Sequence, residues 1–137
     1  DGGADRRPAD PVAGTVTVKA SKRSYAPGET VEIRVSGRGL KSVNALSFAL
    51  PYDPQQLEYV GIEAPGLGQM RNFTADRLHT NGVKALYPTF VNIGEQATAE
   101  GDGELLVIRF RARKAYVYDL QPADGLLVDK RMNQAAF

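Results

Sequence analysis

The sequence predicts an all-β sandwich, and three observations carry the prediction. Large apolar residues recur at every second position: Leu46, Phe48, Leu50 and Tyr52 alternate with the small or stiff Ala45, Ser47, Ala49 and Pro51. Period two is the mark of a strand with one buried face. Runs of this kind are short and are punctuated by turn residues roughly every 8 to 15 positions, while no segment sustains a helical period. A chain of 137 residues, 42% of them hydrophobic, is long enough for one domain with a single core.

Residues 1–14, DGGADRRPADPVAG, are rich in Gly, Pro and charge and have no apolar period. They read as a flexible linker or tail, and 15–137 as the folded domain. Val16, Val18 and Ala20 then alternate with Thr15, Thr17 and Lys19 as a half-exposed strand. Tyr25-Ala26-Pro27-Gly28-Glu29 is a turn, with Pro presetting φ and Gly free to take a positive value. Val31, Ile33 and Val35 form the inward side of the next strand, which Gly37 to Gly39 is expected to break. The 43–62 stretch follows: a strand to Tyr52, a corner at Asp53-Pro54, and a second strand through Leu57 and Ile62. At that corner Pro has no N–H to give a ladder, and Asp hydrogen-bonds the backbone ahead of it. The alternation slips at Tyr59 and Val60, so a bulge is expected there, with either residue pointing inward.

Pro65 to Gly68 reads as a loop and 70–74 as a short strand centred on a core Phe73. Asn81-Gly82 is a turn signal ahead of 83–92. Residues 95–103 read as an acidic loop. Leu106, Ile108, Phe110 and Ala112 make another inward series, and 117–120, 126–129 and 134–137 are shorter strands. No internal repeat is present.

Composition excludes several classes of function. Seventeen basic residues against sixteen acidic give a net charge of +1, too little to recruit nucleic acid or an anionic membrane by bulk field. With no Cys there is no disulfide framework and no thiolate chemistry. No apolar run approaches the ~18 residues of a membrane span. No signal peptide is evident, and the chain reads as a mature fragment or an excised module.

No catalytic residue is assigned. His79, the single histidine, sits in a polar stretch without the nucleophile and acid of a triad and reads as a surface residue. Asp53 and Glu58 are the nearest carboxylate pair, but Asp53 has a structural task at the corner. Glu95, Glu100, Asp102 and Glu104 supply oxygen donors, yet their spacing fits no calcium loop, and no metal or other cofactor is expected. Arg109, Arg111 and Arg113 line the outward side of one strand. Glu32 on a neighbouring strand is placed to pair with one of them, which reads as a solvated face and secondarily as a docking stripe for an acidic partner or sulfated glycan. Asn72-Phe73-Thr74 has the form of a glycan-acceptor sequon. Tyr25, Tyr59, Tyr87, Tyr116 and Tyr118 are the aromatic candidates for stacking on sugars, with Tyr52 buried. Without any Trp they outline no platform.

Four segments, YAPGETVEIRVSG, FALPYDPQQLEYVGI, NGVKALYPTFVN and GELLVIRFRARK, resemble in order and spacing the cohesin modules of secreted bacterial polysaccharide-degrading systems. The resemblance covers about Thr15 to Phe137. It implies a jelly-roll β-sandwich of about nine strands and a non-catalytic task, protein–protein attachment. In that family one sheet offers a flat face to a calcium-loaded helical dockerin, and the cohesin needs no metal of its own. The corresponding segments here are 43–51, 70–74, 83–92 and about 120–129. The outward residues Ala45, Ser47, Ala49, Tyr87 and Thr89 are the expected partner-binding set, provided Leu86, Pro88 and Phe90 face the core.

The chain departs from the family at one point. Many scaffold cohesins carry Asn and Asp where this chain has Ala45 and Ser47, and those polar groups hydrogen-bond the dockerin. This points to a cohesin-like module of an extracellular glycan-degrading enzyme or a surface lipoprotein with a different partner. A carbohydrate-binding module and a structural spacer are the alternatives that share the architecture, and fold does not separate them.

Overall fold

The computed structural model describes residues 14–78, 82–94 and 98–137; the expectations placed on 1–13, His79, Asn81 and Glu95 lie outside them. The chain forms β1 (Thr15–Ala20), β2 (Ser24–Tyr25), β3 (Thr30–Tyr52), β4 (Leu57–Glu63), a 3-10 turn (Pro65–Leu67), β5 (Arg71–Asn72) and β6 (Ala75–Leu78). There follow β7 (Lys84–Tyr87), β8 (Thr89–Val91), β9 (Ala99–Ala112), β10 (Tyr116–Val117), β11 (Ala123–Asp129) and β12 (Gln134–Ala136).

The 23-residue β3 organises the sandwich because it belongs to both layers. Its first half pairs with β1 and β9, and β9 in turn with β4. Its second half pairs with β11, β8 and β7, which carry β12, β5 and β6 outward. All of these pairings are antiparallel. β2 and β10 form a separate short ribbon. With the halves of β3 counted separately, and β5–β6 and β7–β8 taken as interrupted single strands, the sandwich proper has nine strands.

Gly37 to Gly39 therefore does not break the strand as the sequence predicts. The ladder with β9 shifts register between Val35 and Ser36, between Gly37 and Leu40, and between Leu40 and Val43. These irregularities bend one continuous strand from one sheet into the other, which is what bulges do. Gly39 and Ser42 take positive φ, 66° and 51°, and their amides are met by side chains of β9. Gly39 N–H donates to Asp102 Oδ1 at 2.7 Å, and Ser42 N–H to Glu100 Oε2 at 3.1 Å. The expected acidic loop is thus partly strand, from Ala99 onward. Its described carboxylates serve the bend and an ion pair of Glu104 with Arg34 at 2.9 Å.

The core lies between the layers. Val31, Ile33, Val35, Leu106, Ile108 and Phe110 come from one side, and Leu46, Leu50, Leu86, Phe90 and Leu127 from the other; all are almost completely buried. Each such side chain contributes about 1.5–3 kcal/mol through loss of contact with water. The Tyr52 and Tyr59 rings pack edge-on against Phe110, with centroids 4.8 and 5.8 Å away. Tyr59 is thereby the inward residue, and Val60 is half exposed where the β4–β9 register shifts between Tyr59 and Gly61.

The corner after Tyr52 forms as its residues dictate. Asp53 Oδ1 accepts the Gln55 N–H at 2.8 Å, and its carbonyl accepts those of Gln56 and Leu57, both at 3.0 Å. In the Ala26–Glu29 turn, Glu29 N–H donates to the Ala26 carbonyl at 3.1 Å, and Gly28 takes φ 86°.

Candidate functional site

The four segments 43–51, 70–74, 83–92 and 120–129 meet in one sheet, built on the second half of β3. Cross-strand register defines the rows of its outer face. Arg71 stands opposite Val91, Val91 opposite Ala45, Ala45 opposite Val128, and Val128 opposite Gln134. In the next row Thr89 faces Ser47, Ser47 faces Leu126, and Leu126 faces Ala136. Beyond it Ala75 faces Tyr87, and Ala49 faces Ala123. These rows contain no carboxylate.

The alternation behind this face holds. Leu46, Phe48, Leu50, Leu86, Pro88 and Phe90 are buried, which leaves Ala45, Ser47, Tyr87 and Thr89 half-buried on the outer side. Ala49 shares their side of β3 but is only 9% exposed, so it is nearly covered. Thr89 is already engaged: its hydroxyl donates to the Tyr87 carbonyl at 3.0 Å, and its N–H to Thr74 Oγ1 at 3.3 Å. The Arg77 guanidinium lies 4.5 Å from the centre of the Tyr87 ring, within cation–π range.

Phe73 corrects the sequence reading, which placed it in the core. It is 52% exposed. Asn72 Oδ1 accepts the Thr74 N–H at 2.8 Å, a local turn that ends β5 after two residues. Phe73 N–H donates to the Thr89 carbonyl at 2.7 Å, and alternation from Arg71 puts its ring on the outer face. The signal for this was the sequon-like Asn-x-Thr itself, read as an Asx turn.

The opposite layer differs in character. Arg109 donates to Glu32 at 3.3 Å and to Glu63 at 2.9 Å, Arg34 pairs with Glu32 and Glu104, and Arg113 donates to the Pro54 carbonyl at 2.9 Å. Glu32 thus finds the arginine stripe as expected. Its hydrogen bond to Glu63 raises the pKa of Arg109 further. This outer face is charged, and Arg34 and Arg109 on it are compensated by Glu32, Glu63 and Glu104.

Two of the aromatic candidates for sugar stacking are withdrawn. Tyr25 and Tyr116 are 3% exposed and pack together with centroids 6.3 Å apart. Tyr52 is buried as expected. Its hydroxyl donates to Asp76 Oδ1 at 2.8 Å while Lys84 Nζ reaches Asp76 Oδ2 at 2.9 Å. Burial and the neighbouring carboxylate push the Tyr52 pKa well above its ordinary value. Among the described residues, no group of His, Cys, Asp and Glu is arranged to hold a metal ion. No helix among them is long and apolar enough to cross a membrane.

A family model described as the cohesin domain matches residues 14–134. The chain belongs to the cohesin family, a family of interaction modules. Solved structures agree in fold. The sixth cohesin of scaffoldin B from Acetivibrio cellulolyticus, in complex with a mutant Cel5 dockerin, superposes with a TM-score of 0.66 at 16% identity, over 90% of this chain and 91% of that one. A non-cellulosomal cohesin from the archaeon Archaeoglobus fulgidus gives 0.62 at 15%, over 88% and 82%. The cohesin module of a family 33 glycoside hydrolase from Clostridium perfringens gives 0.64 at 14%, over 92% and 90%. No curated protein matches the sequence.

Proposed function

We propose that this cohesin attaches a protein partner, a dockerin-type or other helical module, through the outer face of β3, β8 and β11, within an extracellular glycan-degrading enzyme or a surface lipoprotein. The observation that carries the reading is the contrast between the two outer faces. One is charged, with ion pairs at Arg34 and Arg109; the other has small residues, Ala45 and Ser47, at its centre and apolar Phe73, Val91, Leu126 and Val128 around them. Small side chains let a helix approach the sheet backbone closely, and an apolar centre is the part of an interface that excludes water. The relatives support the setting: one is held by a dockerin, another comes from a glycoside hydrolase. The scattered tyrosines, three of them buried, give the carbohydrate-binding alternative no such surface.

The test is capture of partners from the native secretome with two variants, Ser47→Arg and Arg111→Glu. Ser47→Arg should abolish capture by filling the centre of the face, while Arg111→Glu should leave it intact. The reverse pattern would place the interface on the other sheet.

A further inference from the structure

We infer that the partner helix is apolar along its centre and carries carboxylates along one flank, the flank that lies over β5 and β6. The inference rests on the docking reading above and specifies the chemistry of the partner.

Two positive charges without an ion-pair partner among the described residues lie along the β5–β6 edge of this face. Arg71 and Arg77 are exposed, and among the described residues neither has a carboxylate within ion-pair distance. Asp76, next to Arg77 in sequence, does not neutralise it, because both of its oxygens are held by Tyr52 and Lys84. On the opposite sheet Arg34 and Arg109 are compensated, with Glu32, Glu63 and Glu104 distributed between them, while Arg113 is held by the Pro54 carbonyl.

Arg77 is also positioned in advance. The Tyr87 ring holds its guanidinium 4.5 Å from the ring centre, and a guanidinium offers the two-pronged grip that carboxylates favour. Six residues of extended chain separate the two arginines, about 20 Å at a strand's rise per residue. A helix covers that distance in roughly 13 residues, so acidic side chains three to four turns apart meet both. A partner with Lys or Arg on this flank would bring like charges together as water is expelled, and would be rejected.

The experiment is selection from a displayed library of a two-helix scaffold with randomised contact positions, panned against the whole chain. Enriched clones should combine an apolar centre with Asp or Glu on one flank. Their binding should weaken with added salt and fall roughly tenfold or more with Arg71→Glu plus Arg77→Glu. Exchanging the clone's acids for Lys should restore binding to that double variant. Circular dichroism checks that the variant is folded, and the milder Arg71→Gln plus Arg77→Gln pair is used if it is not. Clones lost with Ser47→Arg but indifferent to both arginine pairs would overturn the acidic partner while keeping the docking face. Clones lost with Arg111→Glu instead would overturn the docking face, and a library yielding no clone would count against both.

Discussion

Asp102 reaches across the bend of β3 and accepts the N–H of Gly39 at 2.7 Å. The bend leaves amides that the β3–β9 ladder cannot pair, because the register slips three times within it. Side-chain oxygens of the neighbouring strand take them instead of water.

Asp102→Ala should therefore destabilise the fold by about 1 kcal/mol, the value of an ordinary hydrogen bond at an exposed site, measured by urea denaturation. If the carboxylates here serve the backbone, a chelator and added Ca²⁺ should each leave the melting temperature unchanged. A rise with Ca²⁺ would show that the acidic segment holds a cation.

Glu100 gives an acid-side counterpart. Hydrogen bonds from Thr98 and from the Ser42 N–H hold its carboxyl below the ordinary value of 4.5. A lowered folded-state pKa means stability that is present above the unfolded pKa and is lost as pH falls through the folded one. Glu100→Gln should flatten the acid limb of the stability profile below about pH 4.5.

On the alkaline side the sign reverses. Burial and the Asp76 carboxylate raise the pKa of Tyr52, and burial raises that of Tyr116. The phenol form is favoured in the fold, so the contribution is whole below an unfolded pKa of about 10 and is lost as pH climbs above it. Tyr52→Phe should lessen the fall in stability between about pH 10 and 12 relative to the parent, while lysine titration is common to both.

Phe48→Ala should cost about 3–5 kcal/mol, since a ring 3% exposed leaves a cavity. Ser47→Ala, one residue away on the outer face, should leave the denaturation midpoint nearly unmoved. Equal effects would mean that the inward assignment of β3 is wrong.

Gly125 tests the docking of the C-terminus. A Cβ there would lie 2.6 Å from the Phe137 carbonyl and 2.7 Å from its ring, and Phe137 in turn packs edge-on against Phe48 at 5.9 Å. Gly125→Ala should destabilise by about 1–3 kcal/mol. The penalty should shrink in a chain shortened by removal of Phe137.

The sequence by itself determined the sandwich and its core. Alternation over Leu46 to Tyr52 and over Leu106 to Ala112 encodes which side is buried, because the strand period is fixed by backbone geometry. The Asp53-Pro54 corner, the Pro27-Gly28 turn and the bulge at Tyr59–Val60 were legible for the same reason: each is decided by residues within a few positions. The small-residue centre of the candidate face, Ala45 and Ser47, could be picked out the same way. What the tertiary structure alone decided is non-local. Gly37 to Gly39 became a bend and not a break, because Asp102 and Glu100, some sixty residues later, supply what the bent backbone lacks. Phe73 left the core because the pairing of Arg71 with Val91 puts the odd-numbered positions of this edge segment on the outer face. Tyr25 and Tyr116 were buried by pairing with each other across a ribbon that no local pattern announces. The arginine stripe and the Arg71–Arg77 edge look alike in sequence, and only the placement of Glu32 and Glu63 across the first sheet compensates Arg109 and leaves Arg71 and Arg77 open. Charge becomes recognition only when distance is known, and distance between strands is set by the fold.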